Sequence, residues 1–438
     1  MHVVIIGNGI SGVTAARHIR MRSDARITLI SAESERFYSR TALMYVYLGQ
    51  LKRSHLEPYE PWFWEKNRIE LLRDRVTAVD THSRNVLLHA HTAISYDVLI
   101  IASGSTPAFY DWPGSTLPGV QGFYSLQDLD NLESCTHRVD TPAEQQLVRE
   151  AVIVGGGLIG IELAEMLISR RIKVTLLVRE KSYWHSVISQ REGQLLQRHF
   201  ETHGLHARYN TELDSILPGT TGRVAEIRTK TGEHIPCQWV GIATGVRPNV
   251  SFLQTSGITI QRGVCVDAFL RTNVPEVYAI GDCAEHLQPM PGRAAVEQTW
   301  YTGRMMGETV AKTITGAAEK YAPGPWFNSA KFFDIEYQVY GQVPAALPAS
   351  SDEFVFEDKK QARMCRWVFD RTTGTFLGIS SFGIRWRHEQ FDHWLRREVG
   401  IAFVFEHLHQ ACFDPEFSRT GVEEMRKQFK TAVHRYAS

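Results

Sequence analysis

The sequence has 438 residues, 43% of them hydrophobic, with 48 basic and 48 acidic side chains and a formal net charge of zero. That length allows two or three domains. The charge balance argues against bulk nucleic-acid binding, and no apolar run reaches the roughly 20 residues needed to span a bilayer.

The first expected strand, 3–6, starts almost at the first residue. This predicts no secretory leader and a cytoplasmic location. The strand runs into Gly7-Asn8-Gly9-Ile10-Ser11-Gly12, a G-x-G-x-x-G turn opening a helix. Gly7 allows the tight turn, Gly9 lets the backbone approach a pyrophosphate, and Gly12 lets the helix pack on the strand. The phosphates then sit at the positive end of the helix dipole. A second strand is expected over 27–30. The half closes with the apolar run 98–101 and Ala102-Ser103-Gly104.

The plan repeats further along. An apolar strand over 151–154 runs into Gly155-Gly156-Gly157-Leu158-Ile159-Gly160, with a helix from about 158 and a strand over 174–178. The closing strand over 240–244 ends at Gly245. One such turn is weak evidence, but two, each between a strand and a helix, are specific. A chain that binds two dinucleotides is expected to pass a hydride between them.

After about 252 the chain is expected to return to the first half. The segment 272–282 reads as a turn, a short strand and the ending Gly281-Asp282. A helix is expected over about 296–313, and Pro323-Gly324-Pro325 marks a boundary. Residues 332–340 read as a strand, and a basic, aromatic helical region begins near Arg385. The expected fold class is α/β. A first nucleotide domain spans 1–125 with 252–320, a second spans 126–251, and a C-terminal α+β interface domain spans 321–438.

Six cysteines are scattered, at 135, 237, 265, 283, 365 and 412, with no C-x-x-C pair and no zinc-type spacing. They read as free thiols in a reducing compartment. Among the 18 histidines only His407-x-His409 and stray pairs draw notice, and those read as surface residues. No metal is expected.

These motifs, in this order, resemble the flavin and pyridine-nucleotide oxidoreductases of glutathione-reductase-like fold. The likeness is to their cysteine-free branch: ferredoxin and rubredoxin reductases, the flavin part of nitrite reductase, and apoptosis-inducing factor. It covers roughly residues 1–340. The resemblance implies FAD on Gly7, Gly9 and Gly12, with Glu33 accepting ribose hydroxyls. Ala102 and Gly104 would line that site. Tyr38-Ser39-Arg40 is similar to the family's segment beside the flavin, so Arg40 would contact the cofactor. Thr41 replaces the usual proline. Tyr45 stands about where ferredoxin reductases carry a lysine.

Gly281-Asp282 resembles the second FAD motif, with Asp282 on the ribityl chain. Residues 293–300 resemble the start of a helix aimed at the flavin pyrimidine, which singles out Glu297, Gln298 and Thr299. Trp300 reads equally well as core. The resemblance places NAD(P)H on Gly155, Gly157, Gly160 and Gly245, with Glu162 near the nicotinamide. Arg179 would clamp a 2′-phosphate and Glu180 would accept ribose hydroxyls, a conflict that leans slightly to NADPH. Arg40, Tyr45 and Glu162 are the residues implied nearest the chemistry.

The function expected is FAD-dependent oxidation of NAD(P)H, with electrons leaving to an outside acceptor without a redox-active disulfide. That acceptor is a small iron–sulfur protein, a quinone, oxygen or another small oxidant. The basic stretch 385–388 with Arg396 and Arg397 is a docking candidate for an acidic partner or a surface between two copies of the chain. The alternatives are a redox-sensing protein resembling apoptosis-inducing factor and an oxygen-reducing NAD(P)H oxidase.

Overall fold

A computed structural model describes residues 1–136, 147–414 and 421–432. The chain divides into two compact units. The first comprises 1–108, 124–133 and 245–323; the second comprises 109–123, 134–244 and 324–438. Residues 321–438, expected as a domain of their own, fall almost wholly into the second unit. Among the described residues no helix is long and apolar enough to cross a membrane.

The first unit is built on a five-stranded parallel sheet. Its order is Val277–Ala279, Val98–Ile101, His2–Ile6, Arg26–Ser31, Ile69–Arg73. The central strand is apolar without alternation because both of its faces are buried, as a parallel sheet requires. Helix Ile10–Arg20 follows it directly and buries Val13, Ala15, Ala16 and Ile19. Helix Trp300–Ile314 packs against that helix.

The expected helix over 296–313 thus starts four residues late. Thr299, at its N-cap, is extended, and Trp300 is exposed rather than core. The segment before the helix is held by side-chain bonds that a helix would break: Gln298 reaches Ser105, and Tyr321 reaches Glu297.

The second unit repeats the parallel sheet, in the order His206–Arg208, Lys173–Leu177, Glu150–Val154, Trp239–Ile242, Val120–Gln121. Helix Leu158–Ser169 follows its central strand. Helix Gln190–Thr202 starts at a capping box in which Ser189 and Glu192 satisfy each other's backbone N–H groups.

The same unit carries a five-stranded antiparallel sheet, ordered Phe327–Phe332, Ile335–Gly341, Phe376–Phe382, Arg363–Asp370, Ser351–Asp358. Its core is aromatic: Trp367, Phe369, Phe376, Trp386, Phe391 and Trp394 are buried. The expected strand over 332–340 is two strands joined by the two-residue turn Phe333-Asp334. Phe333 adopts φ +57° to make it, a conformation tight hairpins need and bulky residues rarely take.

Candidate functional site

In the first unit the three motif glycines meet three different demands. Gly7 has φ +112°, and a Cβ there would overlap the Ala102 carbonyl oxygen. A Cβ on Gly12 would overlap the Gly7 carbonyl. Gly9, the N-cap of helix Ile10–Arg20, has nothing within 4 Å of where a Cβ would stand. Nothing in the fold itself demands glycine there. The space is what a phosphate group needs to reach the helix N-terminus.

Beside it lies a continuous polar network. Arg40 pairs with Glu33 at 2.7 Å and donates to the Tyr124 carbonyl; Tyr38 donates to Glu33 as well. The Arg40 guanidinium sits between aromatic faces, 4.1 Å from the Tyr124 ring and 5.2 Å from that of Tyr38. The Tyr124 hydroxyl accepts from the Ser105 N–H at 3.3 Å. The Ser105 hydroxyl donates to Asp282 at 3.1 Å and accepts from Gln298 at 2.9 Å. Burial pushes the Asp282 carboxyl up to about 6, against the Ser105 hydrogen bond and the Arg40 charge, which pull it down.

Glu33, Arg40, Asp282 and Gln298 are therefore brought together. Tyr38, Ser105 and Tyr124 join them, and of these Ser105 and Tyr124 carry no motif signal in the sequence. Glu33 is heavily engaged, since its carboxylate also accepts from the Leu126 N–H at 3.3 Å. Glu297 turns elsewhere: its carboxylate is buried on Arg293 and on the Tyr321 hydroxyl, the latter at 2.8 Å. The Thr299 hydroxyl bonds that of Thr302 at 2.9 Å. Tyr45 is half-buried on the short helix Leu43–Tyr47. Gly104 and Gly245, both at positive φ, accept the Asn249 and Ala108 N–H groups, each at 2.9 Å. Gly281 has φ +72° and lies tight against Ser11.

The second unit presents the same turn. Gly155 has φ +120°, and a Cβ there would overlap the Ala243 carbonyl; one on Gly160 would overlap the Gly155 carbonyl. Gly157, the N-cap of helix Leu158–Ser169, again has nothing within 4 Å. The Tyr183 hydroxyl donates to the Gly157 carbonyl at 3.3 Å. Arg179 is exposed and pairs with its neighbour Glu180 at 2.9 Å.

Glu162 lies on the helix, its carboxyl pushed up to about 7, first by burial and then by Glu165. Glu165 is itself held by Lys331 at 2.5 Å. The raised value fixes a sign. The folded protein keeps the Glu162 proton over a range, from 4.5 to about 7, in which the unfolded chain releases it. Stability therefore falls as pH rises through that window and stays lower above it. Glu162→Gln is expected to raise Tm relative to wild type at pH 8 and to lose that advantage by pH 4.5. The gap corresponds to about 1–2 kcal/mol, less than the full shift because the side chain keeps some exposure. A gap that does not change with pH contradicts this assignment.

All six cysteines are buried, and none forms a disulfide. Burial pushes the thiols of Cys237 and Cys365 up to about 12 and raises those of Cys135, Cys265 and Cys283. Thiolate chemistry is correspondingly disfavoured. At the C-terminal basic stretch, Arg385 pairs with Glu336 at 2.8 Å, Arg396 with Asp392 at 2.7 Å, and Trp386 is buried. Much of that expected docking charge is neutralised locally. His407 bonds the Phe403 carbonyl at 2.9 Å and stacks on its ring.

Two parallel sheets, each with an open glycine N-cap after its central strand, define a two-dinucleotide oxidoreductase. The sequence pattern of the pyridine nucleotide-disulphide oxidoreductase family matches residues 1–307, and the chain belongs to that family. Its cofactors are FAD and NAD(P)H. The chain is 31% identical over 288 residues to the nitrite reductase [NAD(P)H] of Bacillus subtilis (strain 168), a match covering 65% of this chain and 34% of that protein. It thus spans about a third of that relative. It is 31% identical to a ferredoxin–NAD(P)+ reductase of Sphingomonas sp., over 77% of this chain and 80% of that one. The fold is similar to the crystal structure of the ferredoxin reductase for the CYP199A2 system from Rhodopseudomonas palustris, with a TM-score of 0.80, 24% identity, and 97% and 99% of the two chains covered.

Proposed function

We propose that this chain oxidises NAD(P)H at the second glycine turn and reduces a small iron–sulfur protein by way of FAD held at the first. The observation that carries this reading is the burial of the cysteines: all six are buried outside any disulfide, and burial raises five of the thiols, which disfavours a thiolate relay competing with an outside acceptor. The likeness to a ferredoxin–NAD(P)+ reductase over most of both chains supports it. Bound flavin supplies the conversion of one hydride into two single electrons. The balance is one NAD(P)H oxidised, two iron–sulfur proteins reduced by one electron each, and one proton released.

The residues have defined tasks under this reading. The Gly9 and Gly157 turns admit the two pyrophosphates. Asp282 accepts a ribityl hydroxyl, and the Glu33–Arg40–Tyr124 network fixes the guanidinium beside the flavin. Glu162, protonated below about 7, presents a neutral carboxyl towards the nicotinamide amide.

Steady-state turnover tests the acceptor. With NAD(P)H in excess, a [2Fe–2S] ferredoxin is expected to be reduced much faster than oxygen or a quinone. Faster turnover with oxygen than with any iron–sulfur protein contradicts the reading and favours an oxidase.

Arg179 sets a second expectation. A 2′-phosphate gives its guanidinium two charge-assisted bonds that NADH cannot make. Arg179→Ala is expected to lower kcat/KM for NADPH by roughly 10- to 100-fold, from a loss of about 1.5–3 kcal/mol, and to leave NADH nearly unchanged. An unchanged ratio of the two values would make this arginine a surface residue.

A further inference from the structure

Helix Gln190–Thr202 and its C-cap place His199 and His203 one turn apart, a spacing that puts both on one face. Both rings face the hairpin turn Phe333-Asp334. The Nε2 atoms of His199 and His203 lie 2.6 and 3.3 Å from the same Asp334 oxygen, Oδ1. All three potential ligand atoms fall within 4.8 Å of one another. The His203 ring stacks on Phe333 with centroids 4.5 Å apart.

The orientation of the rings suits a shared ligand. The His203 Nδ1–H donates to the His199 carbonyl at 3.0 Å. Its Nε2 is thereby turned toward Asp334 Oδ1. Backbone bonding of one ring nitrogen, with the other presented to a cation, is also how metal-binding histidines are oriented. Asp334 is largely exposed.

We propose that His199, His203 and Asp334 bind a divalent transition cation, with zinc as the fitting probe, clipping the helix to the 327–341 hairpin. Two imidazoles and a carboxylate suit such an ion at about 2.0–2.2 Å from each ligand, with water completing a tetrahedron. This clip lies outside both nucleotide turns and adds no step to the hydride chemistry.

The test uses the full-length flavin-loaded protein, stripped with a chelator, desalted, and titrated with zinc chloride against a competing chromophoric chelator. The expected result is one zinc per chain, with affinity lowered about 10-fold or more by His199→Ala, His203→Ala and Asp334→Asn. Zinc should raise the Tm of wild type and leave that of the His199→Ala/His203→Ala variant unchanged. Asp334→Asn sits on an exposed turn, so its folding does not depend on the outcome. Zinc uptake by Asp334→Asn and the double variant equal to that of wild type overturns the proposal. So does a wild type that binds no zinc at stoichiometric excess.

Discussion

Gly157→Val is expected to fold, stay yellow and lose reduction by NAD(P)H. The three glycines of the turn are not equivalent. A side chain on Gly155 or Gly160 overlaps a carbonyl oxygen, so substitution there damages the fold itself. Gly157 is extended, with φ −99° and ψ −175°, and an added Cβ meets nothing within 4 Å. A valine fits the folded chain at that point, apart from a modest N-cap penalty. What it removes is the approach of a pyrophosphate to the helix N-terminus. A dinucleotide displaced by about 1 Å loses roughly 100-fold in rate, and exclusion loses more. Stopped-flow reduction of the flavin measures it. Near-normal reduction by NADH and NADPH in a folded Gly157→Val protein would mean that the second turn does not bind the nicotinamide cofactor.

Asp282→Ala is expected to lose flavin and to gain stability as the cofactor-free protein. In the folded chain this carboxyl is half-buried, held by Ser105, and pushed up to about 6 by desolvation, so it is a cost that a bound polyol hydroxyl repays. Removing it leaves a buried ribityl hydroxyl without its acceptor, worth about 1–3 kcal/mol, or roughly 10- to 100-fold in flavin affinity. Flavin content after gel filtration gives the first readout, and Tm of the flavin-free form gives the second. A variant that binds FAD as tightly as wild type places the ribityl chain elsewhere.

The two nucleotide turns were legible because each glycine answers a separate backbone demand, and those demands show up as fixed spacing. The parallel strands were legible because burial on both faces writes a continuous apolar run. The side-chain network was less so. Ser105 and Tyr124 reach Asp282 and Arg40 only through the folding together of segments far apart in sequence, and neither belongs to a motif. Glu297 shows the reverse: a motif position marked it, but the structure spends its carboxylate on Arg293 and Tyr321. The histidine pair of helix Gln190–Thr202 was visible as an i, i+4 spacing. Like the other stray histidine pairs it reads as surface, because the third member, Asp334, is supplied by a hairpin that reads in the sequence as one continuous strand.

Hydride is expected to pass from NAD(P)H to FAD with no cysteine taking part. Anaerobic titration with NADPH or NADH, followed across the visible spectrum, tests it most directly. The flavin is expected to bleach with one equivalent per chain, without a thiolate–flavin charge-transfer band, and to regain its full colour on adding two equivalents of oxidised [2Fe–2S] ferredoxin. A long-wavelength thiolate band, or a requirement for a second equivalent of NAD(P)H before bleaching is complete, would contradict it.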